Sequence, residues 1–381
     1  MCAQDRGVER ITVGNSFAEV DAAQWDALAG GDHPFLSHGF LSALEESGSA
    51  TSRAGWQPLP LLLRDAEDTL VGAVPLYGKS HSQGEYIFDH SWADAWQRAG
   101  GQYYPKLLSA VPFTPAPGPR LLAQDRSLVP ELIRGMEALA INNQLSSAHA
   151  NFIEEPDMTA FTEAGWLLRE GVQFHFKNRG YGSFDDFMET LASRKRRTIR
   201  KERAAAQAAV TIHALTGDAI TEAHWDAFWV FYQDTGARKW GRPYLTRAFF
   251  SLISARMADR ILLLIAEKDG QPVAGALNFI GGDVLYGRYW GCTQDIPFLH
   301  FELCYYQAID FAIARGLSRV EAGAQGEHKI ARGYEPVPTW SAHYIADQGF
   351  RTAIADFLDR ERHAMERQIE FLGTVTPFRR G

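Results

Sequence analysis

Cysteine is scarce in this 381-residue chain: Cys2, Cys292 and Cys304 are odd in number and show no C-x-x-C spacing. That argues against a disulfide framework and against a cysteine zinc site. Long hydrophobic runs are missing as well. The longest, ILLLIA at 261–266, is far too short to cross a bilayer, and MCAQDRGVER has no apolar h-region. The expectation is a soluble, cytoplasmic protein with no integral membrane segment. Neither G-x-G-x-x-G nor G-x-x-x-x-G-K-[ST] occurs, and H-E-x-x-H and G-x-S-x-G are also absent. Dinucleotide, P-loop, zinc-hydrolase and serine-hydrolase readings therefore lack their usual motif.

What is present is ordinary in bulk and uneven in detail. With 46% hydrophobic and 22% charged residues the chain reads as globular, and its length exceeds what one core usually organises. The net charge of −8 conceals SRKRRTIRKER at 193–203, where seven Lys/Arg and one Glu make +6 and leave −14 for the rest. Such an acidic body does not hold DNA broadly, whereas one cationic patch suits a phosphate-rich ligand. Arg197, Arg200 and Lys201 are the candidates there, with a solvated linker helix as the plainer alternative.

One unit occurs twice. WDALAGGDHPFLSHGFLSALEESG (25–48) precedes LPLLLRDAEDTLVGAVPLYG (59–78), and HWDAFWVFYQDTG with FFSLISARM (224–257) precedes ILLLIAEKDGQPVAGALNFIGG (261–282). In each copy two helices lead into a hairpin, which points to duplication of one α/β unit. Periodicity predicts strands near 10–13, 59–64, 70–77, 84–88, 145–150 and 172–177 and a helix near 127–142 in the first half. A helix capped by Ser183 then runs through the basic stretch. The second half reads as helices at 221–236, 246–257 and 300–315, strands at 261–267, 272–280, 284–290 and 319–323, and a C-terminal helix at 350–372. The class is α+β, divided as 1–177 and 178–381 with the basic helix at the junction. YYPKLLSAVPFTPAPGP (103–119) is too rich in proline for a helix or central strand, and its aromatics favour an ordered loop.

Four stretches carry candidate chemistry. YIFDHSWADAW (86–96) offers Asp89 and Trp92, with Lys106 in the loop beyond, and LYGRYWGC (285–292) offers Arg288 and Trp290 around Gly287, a residue that suggests a bulge or a close ligand. DIPFLHFELCYYQAIDFAIARG (295–316) places His300 and Glu302 before Tyr305 and Tyr306, a set suited to acid–base work, although a lone His-x-Glu is more often a cap. AGAQGEHKIARGYEP (322–336) then gathers His328, Lys329, Arg332 and Tyr334 among glycines where a strand ends, a density unusual for a mere connector.

YYPKL…PFTPAPGPRLL, SRKRRTIRKER, LHFELCYYQAIDFAI and EAGAQGEHKIARGYEPVPTWSAHYI together resemble the hallmark blocks of the FemAB-like family of predicted N-acyltransferases, over roughly 25–375. The resemblance implies two tandem GNAT-like units and acyl or aminoacyl transfer from an activated donor to an amine; the aromatic strand ends and the Pro-rich loop need a common surface to cover, which favours units packed together with the substrate cleft between them. No tightly bound cofactor is implied, only a donor cosubstrate, aminoacyl-tRNA or acyl-coenzyme A. The acceptor would be a muropeptide or another amine-bearing small molecule. CTQDIPFLHFE lacks the Q/R-x-x-G-x-G/A loop whose amides hold pyrophosphate in acetyltransferases. In such folds the donor lies where the fourth and fifth strands splay, here about 284–290 and 319–323. The implied roles are an oxyanion donor at the Gly287 backbone, a second at Lys329, a base at Glu302 or His328, a proton returned by Tyr305 or Tyr306, and phosphates held by Arg332 and the basic helix. A cell-wall precursor-binding protein without turnover and a small-molecule amide-forming enzyme remain alternatives.

Overall fold

The computed structural model describes residues 10–239, 243–323 and 326–379. They form two compact units, 1–171 with 339–365 and 172–338 with 366–381. The chain runs β1 (Arg10–Val13), α1 (Ala22–Ala29), α2 (His38–Glu46), β2 (Trp56–Pro58), β3 (Leu61–Arg64), β4 (Leu70–Val74), β5 (Leu76–Lys79), α3 (His90–Arg98), β6 (Lys106–Ser109), β7 (Leu122–Ala123), α4 (Val129–Asn142), β8 (Ser147–Ile153), α5 (Glu155–Glu163) and β9 (Leu167–Lys177). It continues with α6 (Phe184–Thr190), α7 (Ser193–Ala209), β10 (Thr211–Leu215), α8 (Glu222–Lys239), α9 (Arg247–Met257), β11 (Ile261–Lys268), β12 (Gln271–Gly281), β13 (Val284–Cys292), α10 (Leu299–Phe301), α11 (Gln307–Ala314), β14 (Arg319–Glu321), β15 (Glu335–Ile345) and α12 (Gln348–Thr374).

In the first unit β1-β3-β4-β7 form one sheet, and β15-β8-β6-β5-β2 lie in order in a second. The segment 339–365, expected with the second half, belongs to this unit because Ile345 back to Trp340 pair antiparallel with Ser147 to Ile153 of β8. The unit boundary at 171/172 likewise differs from the expected 177/178. Lys106–Ser109 is a central strand after all, since its four residues are free of proline and the prolines flank it. No strand forms at 84–88; there the chain turns Glu85 inward to pair with Lys106 at 2.8 Å.

The duplicated features reappear as α1 and α2 before the β3–β4 hairpin and α8 and α9 before β11–β12. Trp25 and Trp225 are both fully buried. The second unit's strands follow the order β10-β11-β12-β13-β14-β9. Ser183 caps α6 by accepting from the Asp186 amide, as its sequence position predicts. The expected single helix breaks at Leu191–Ala192, where Leu191 pairs with Phe378 and the Ala192 amide donates to the Pro377 carbonyl. Tertiary pairing there overrides helix propensity.

One face of the first unit's sheet is a buried polar layer. Lys106 bonds to Asp89 and Glu85, and Tyr103 donates to Asp89 at 2.7 Å. His149 and His343 meet through their Nδ1 atoms at 2.7 Å, each with its Nε2 on a serine, Ser147 or Ser341. Burial pushes His149 down to about 3 and His343 well below the ordinary histidine value. Both rings are thus neutral when folded and take up protons on unfolding below about pH 6.5, so their contribution is lost as pH falls through that range towards 3. Glu85, raised to about 7 by burial, acts in the opposite direction. The melting temperature of the wild type should therefore fall more steeply between pH 6.5 and 4 than that of His149→Gln/His343→Gln, and parallel slopes would refute the assignment.

Candidate functional site

In the second unit β13 runs parallel to β14 only through Val284↔Arg319, Leu285↔Val320 and Tyr286↔Glu321. Beyond that point β13 continues to Cys292 alongside β12, and the register steps from Leu277↔Tyr289 to Asn278↔Gly287. Two residues of β13 oppose one of β12, a bulge that bends the strand away. A cleft of about 110 Å³ opens there, lined among others by Asn278, Gly287, Arg288, Trp290, His300 and Tyr305. Gly287 lies on the wall of this cleft, with Asn278 beside it.

The wall facing the strands is a helix with an unusual turn. Between α10 and α11, Glu302–Tyr306 wind as a π-helix, a geometry found mostly at functional positions. Tyr305 there shares a 2.8 Å hydrogen bond with His328 Nε2. Burial raises the Tyr305 phenol well above its ordinary value, so it stays protonated. His328 is the second residue of the 3₁₀ segment Glu327–Arg332, which also carries Lys329. The Lys329 ammonium is buried and donates to the Gly323 carbonyl at 3.0 Å, at the tip of the diverging strand. Desolvation lowers it to about 7; the Cys304 thiol opposes that shift and the Arg288 charge adds to it, both residues of the cleft wall. The segment ends at Gly333, which has φ +91° and where a Cβ would press to 2.5 Å from the Phe187 ring. Only glycine suits both conditions.

The remaining predicted residues divide into groups. Glu302 is fully buried and turned towards α7, where its Oε1 accepts from Arg203 (3.2 Å) and Gln207 (2.8 Å), and it also accepts from Gln307 of α11 (2.8 Å). It ties the helices together and does not line the cleft. Arg332 Nη2 grips both oxygens of Glu202 at 3.0 Å, and Tyr306 donates to the same carboxylate. Tyr306 and Arg332 line a second cavity of about 330 Å³, with Arg194, Lys195, Thr198, Ile199, Glu202 and Ala331. Arg197, Arg200 and Lys201 are exposed and lie outside that lining. Tyr334 is buried, with its ring 5.5 Å edge-on to that of Tyr305. Asp89, Trp92 and Lys106 belong to the first unit's buried layer, where Trp92 packs edge-on against His343 at 4.9 Å.

The first unit has the corresponding parallel pair in β6 and β8, in register from Leu107↔Ala148 to Ser109↔Ala150. Its opening is filled by the Pro-rich loop. The Gly118 amide donates to the Phe152 carbonyl at 3.0 Å, and buried Arg120 donates to the carbonyls of Asn151 (2.9 Å), Ala116 (2.8 Å), Gly118 and Pro119 (both 3.0 Å). The loop is ordered, as its aromatics predict, and Arg120 ties it to the end of β8.

The FemAB-like profile, described as peptidoglycan biosynthesis/recognition, matches residues 16–380. The chain belongs to the FemAB-like family. No curated protein shows significant sequence similarity to it. Among solved structures it is similar to the C-terminal domain of a putative lysylphosphatidylglycerol synthetase from Agrobacterium fabrum, with 10% identity, TM-score 0.57 and coverage of 90% of this chain and 96% of that one. FemX is comparable, with 12% identity, TM-score 0.56 and coverage of 88% and 99%. The L-PGS structure from Bacillus licheniformis gives 11% identity, TM-score 0.51 and coverage of 82% and 93%. These likenesses support the expected α+β fold, and the repeated arrangement of two helices before a hairpin is that of two tandem units. No described helix of this FemAB-like protein is long and apolar enough to cross a membrane.

Asn278 and Cys304 were missed from sequence, and within the basic stretch Arg197, Arg200 and Lys201 were singled out where Arg194, Lys195 and Thr198 line the cavity. Ile199, the lone apolar residue of the basic stretch, marks the inward stripe of α7, and Lys195 and Glu202 lie four before and three after it; that spacing was the available signal. Since Glu302 anchors α7, Glu302→Ala should lower unfolding stability by about 3 kcal/mol, read from denaturant midpoints, by removing the acceptor that Gln207 and Gln307 share and leaving Arg203 with Asp310 alone. An unchanged midpoint would return Glu302 to the list of candidate bases.

Proposed function

We propose that the second unit of this FemAB-like protein transfers an acyl or aminoacyl group from an activated ester or thioester to an amine, forming an amide, with Lys329 as the proton acceptor. Family membership supports acyl or aminoacyl transfer in general terms, and the family's description favours an amine of the muropeptide type. The observation that carries the reading is Lys329, a buried amine lowered to about 7, held at the point where β13 and β14 part.

An acceptor amine is mostly protonated at neutral pH and must shed that proton to attack. A lysine near 7 is neutral about half the time at pH 7, so it takes a proton where an ordinary lysine cannot. This role replaces the oxyanion-donor role expected for Lys329, which needs a permanent ammonium. In the step, the amine nitrogen bonds to the donor carbonyl carbon, the C–O or C–S bond breaks, and Lys329 receives the amine proton. Tyr305, kept protonated by burial, gives its proton to the departing oxygen or sulfur and regains one through His328. The bulged main chain at Gly287 supplies the amide for the developing oxyanion.

Steady-state transfer from acetyl-coenzyme A and from an aminoacyl ester to a muropeptide amine tests this. Lys329→Met should lower kcat by about 10² to 10³. The wild-type rate should rise with pH through about 7, as Lys329 loses its proton, and that rise should vanish in the variant. Wild-type turnover unaffected by Lys329→Met would refute the assignment, and binding of the acceptor with no turnover would make the protein a recognition module.

A further inference from the structure

We propose that Asn278 Oδ1 binds the attacking amine at the transfer cleft and selects primary amines over secondary amines and hydroxyls. Resting on the transfer reading above, this adds a second contact to the nitrogen whose proton Lys329 receives.

Asn278 breaks the pattern of its strand. Val273–Phe279 of β12 is a continuous buried run, and Asn278 is its one polar side chain, set between Leu277 and Phe279. It is only 1% exposed. A buried carboxamide costs free energy unless its hydrogen-bonding groups are met, and an apolar side chain suits the interior of a sheet better. Residues that violate a local rule in this way gather at functional sites.

The contacts of the amide fix its direction. Nδ2 donates to the carbonyls of Leu262 (3.3 Å) and Ala276 (3.4 Å). Because a carbonyl cannot donate, these two contacts decide which end of the amide is nitrogen. Oδ1 is the end left over, and it accepts from no group among the described residues. Asn278 lines the cleft and stands opposite Gly287 at the bulge. A Cβ built on Gly287 would lie 3.4 Å from Oδ1 and 3.7 Å from the Cα of Ala322, another residue of the cleft wall. The oxygen therefore borders the space above the bulged main chain, between β12 and the end of β14.

Its polarity suits the attacking nitrogen. In the proposed step the carbonyl oxygen gains negative charge beside the Gly287 main chain, while the nitrogen bonding to the same carbon gains positive charge. An amide oxygen at this position repels the first and attracts the second. Arg288 stands in the same wall, and its charge favours entry of the amine in its neutral form. Valence then sets the selectivity. A neutral primary amine has two N–H bonds and a lone pair: one N–H gives its proton to Lys329, the other donates to Oδ1 and remains in the amide product, and the lone pair faces the carbonyl carbon. A secondary amine or a hydroxyl has a single hydrogen, which Lys329 must take, so Oδ1 is left without a donor.

The test is transfer to a muropeptide with one primary amine and to its N-methyl derivative, by the wild type, Asn278→Leu and Asn278→Asp. Asn278→Leu should lower kcat/KM about 10- to 100-fold for the primary amine and less than about threefold for the N-methyl amine. A protonated aspartate donates to the Leu262 carbonyl and keeps an acceptor oxygen, so Asn278→Asp should retain the wild-type preference. A merely structural role would lower transfer to both acceptors alike, and equal losses would overturn the proposal. Asn278→Ala takes the place of Asn278→Leu if the leucine does not pack. Calorimetric titration separates this contact from the chemistry: Asn278→Leu should bind the free-amine muropeptide about tenfold more weakly than wild type, and the trimethylated form, which has no N–H, equally well. Such a loss of affinity in a wild type that shows no turnover would refute the transfer chemistry and leave Asn278 as the amine contact. Wild-type turnover with an unchanged acceptor preference in Asn278→Leu would refute the Asn278 assignment alone.

Discussion

The buried carboxylate of Glu202 is the contact on which the second unit's chemistry depends. It is held by Arg332 from the 3₁₀ segment and by Tyr306 from the π turn, while belonging to α7. Three elements distant in sequence thus converge on one charge. A buried ion pair is poor evidence of net stability but good evidence of defined geometry, since removing one partner strands the other. With Arg332 fixed, the short segment before it can present His328 to Tyr305 and keep Lys329 dry at the strand tip.

The two units use the same polar residue types for different ends. In the first, lysines, carboxylates and histidines form a buried layer under α3 and the 80–89 turn, and the opening beside β8 is sealed by Arg120 against main-chain carbonyls. In the second, the bulge at Gly287 bends β13 and a cleft lined by Asn278, Arg288, Trp290 and Tyr305 lies beside it. Duplication supplied two openings, and the loop at the first sets them apart.

Much of the fold was legible. The Trp-Asp-Ala helices, the paired hairpins and the Ser183 cap depend on local periodicity and local hydrogen bonding, which a linear reading captures. The candidate cleft was partly legible: Gly287 inside an aromatic strand suggested its bulge, and the crowding of His328, Lys329 and Arg332 between glycines marked the adjoining turn. The direction of side chains was not. Glu302 looked like a base from its place beside His300, yet the helix turns it to α7. The basic stretch looked functional at Arg197, Arg200 and Lys201, yet the cavity faces Arg194, Lys195 and Thr198.

The sequence by itself determined the α+β class, the repeated unit and the family, because these rest on residue order and period. Tertiary structure decided which charges are neutralised and which are left available. Whether Lys329 is an ordinary ammonium or an amine near 7 depends on burial and on Arg288 and Cys304, residues 41 and 25 positions away in sequence. Desolvation and Coulomb interactions act through space, and no spacing along the chain encodes them directly.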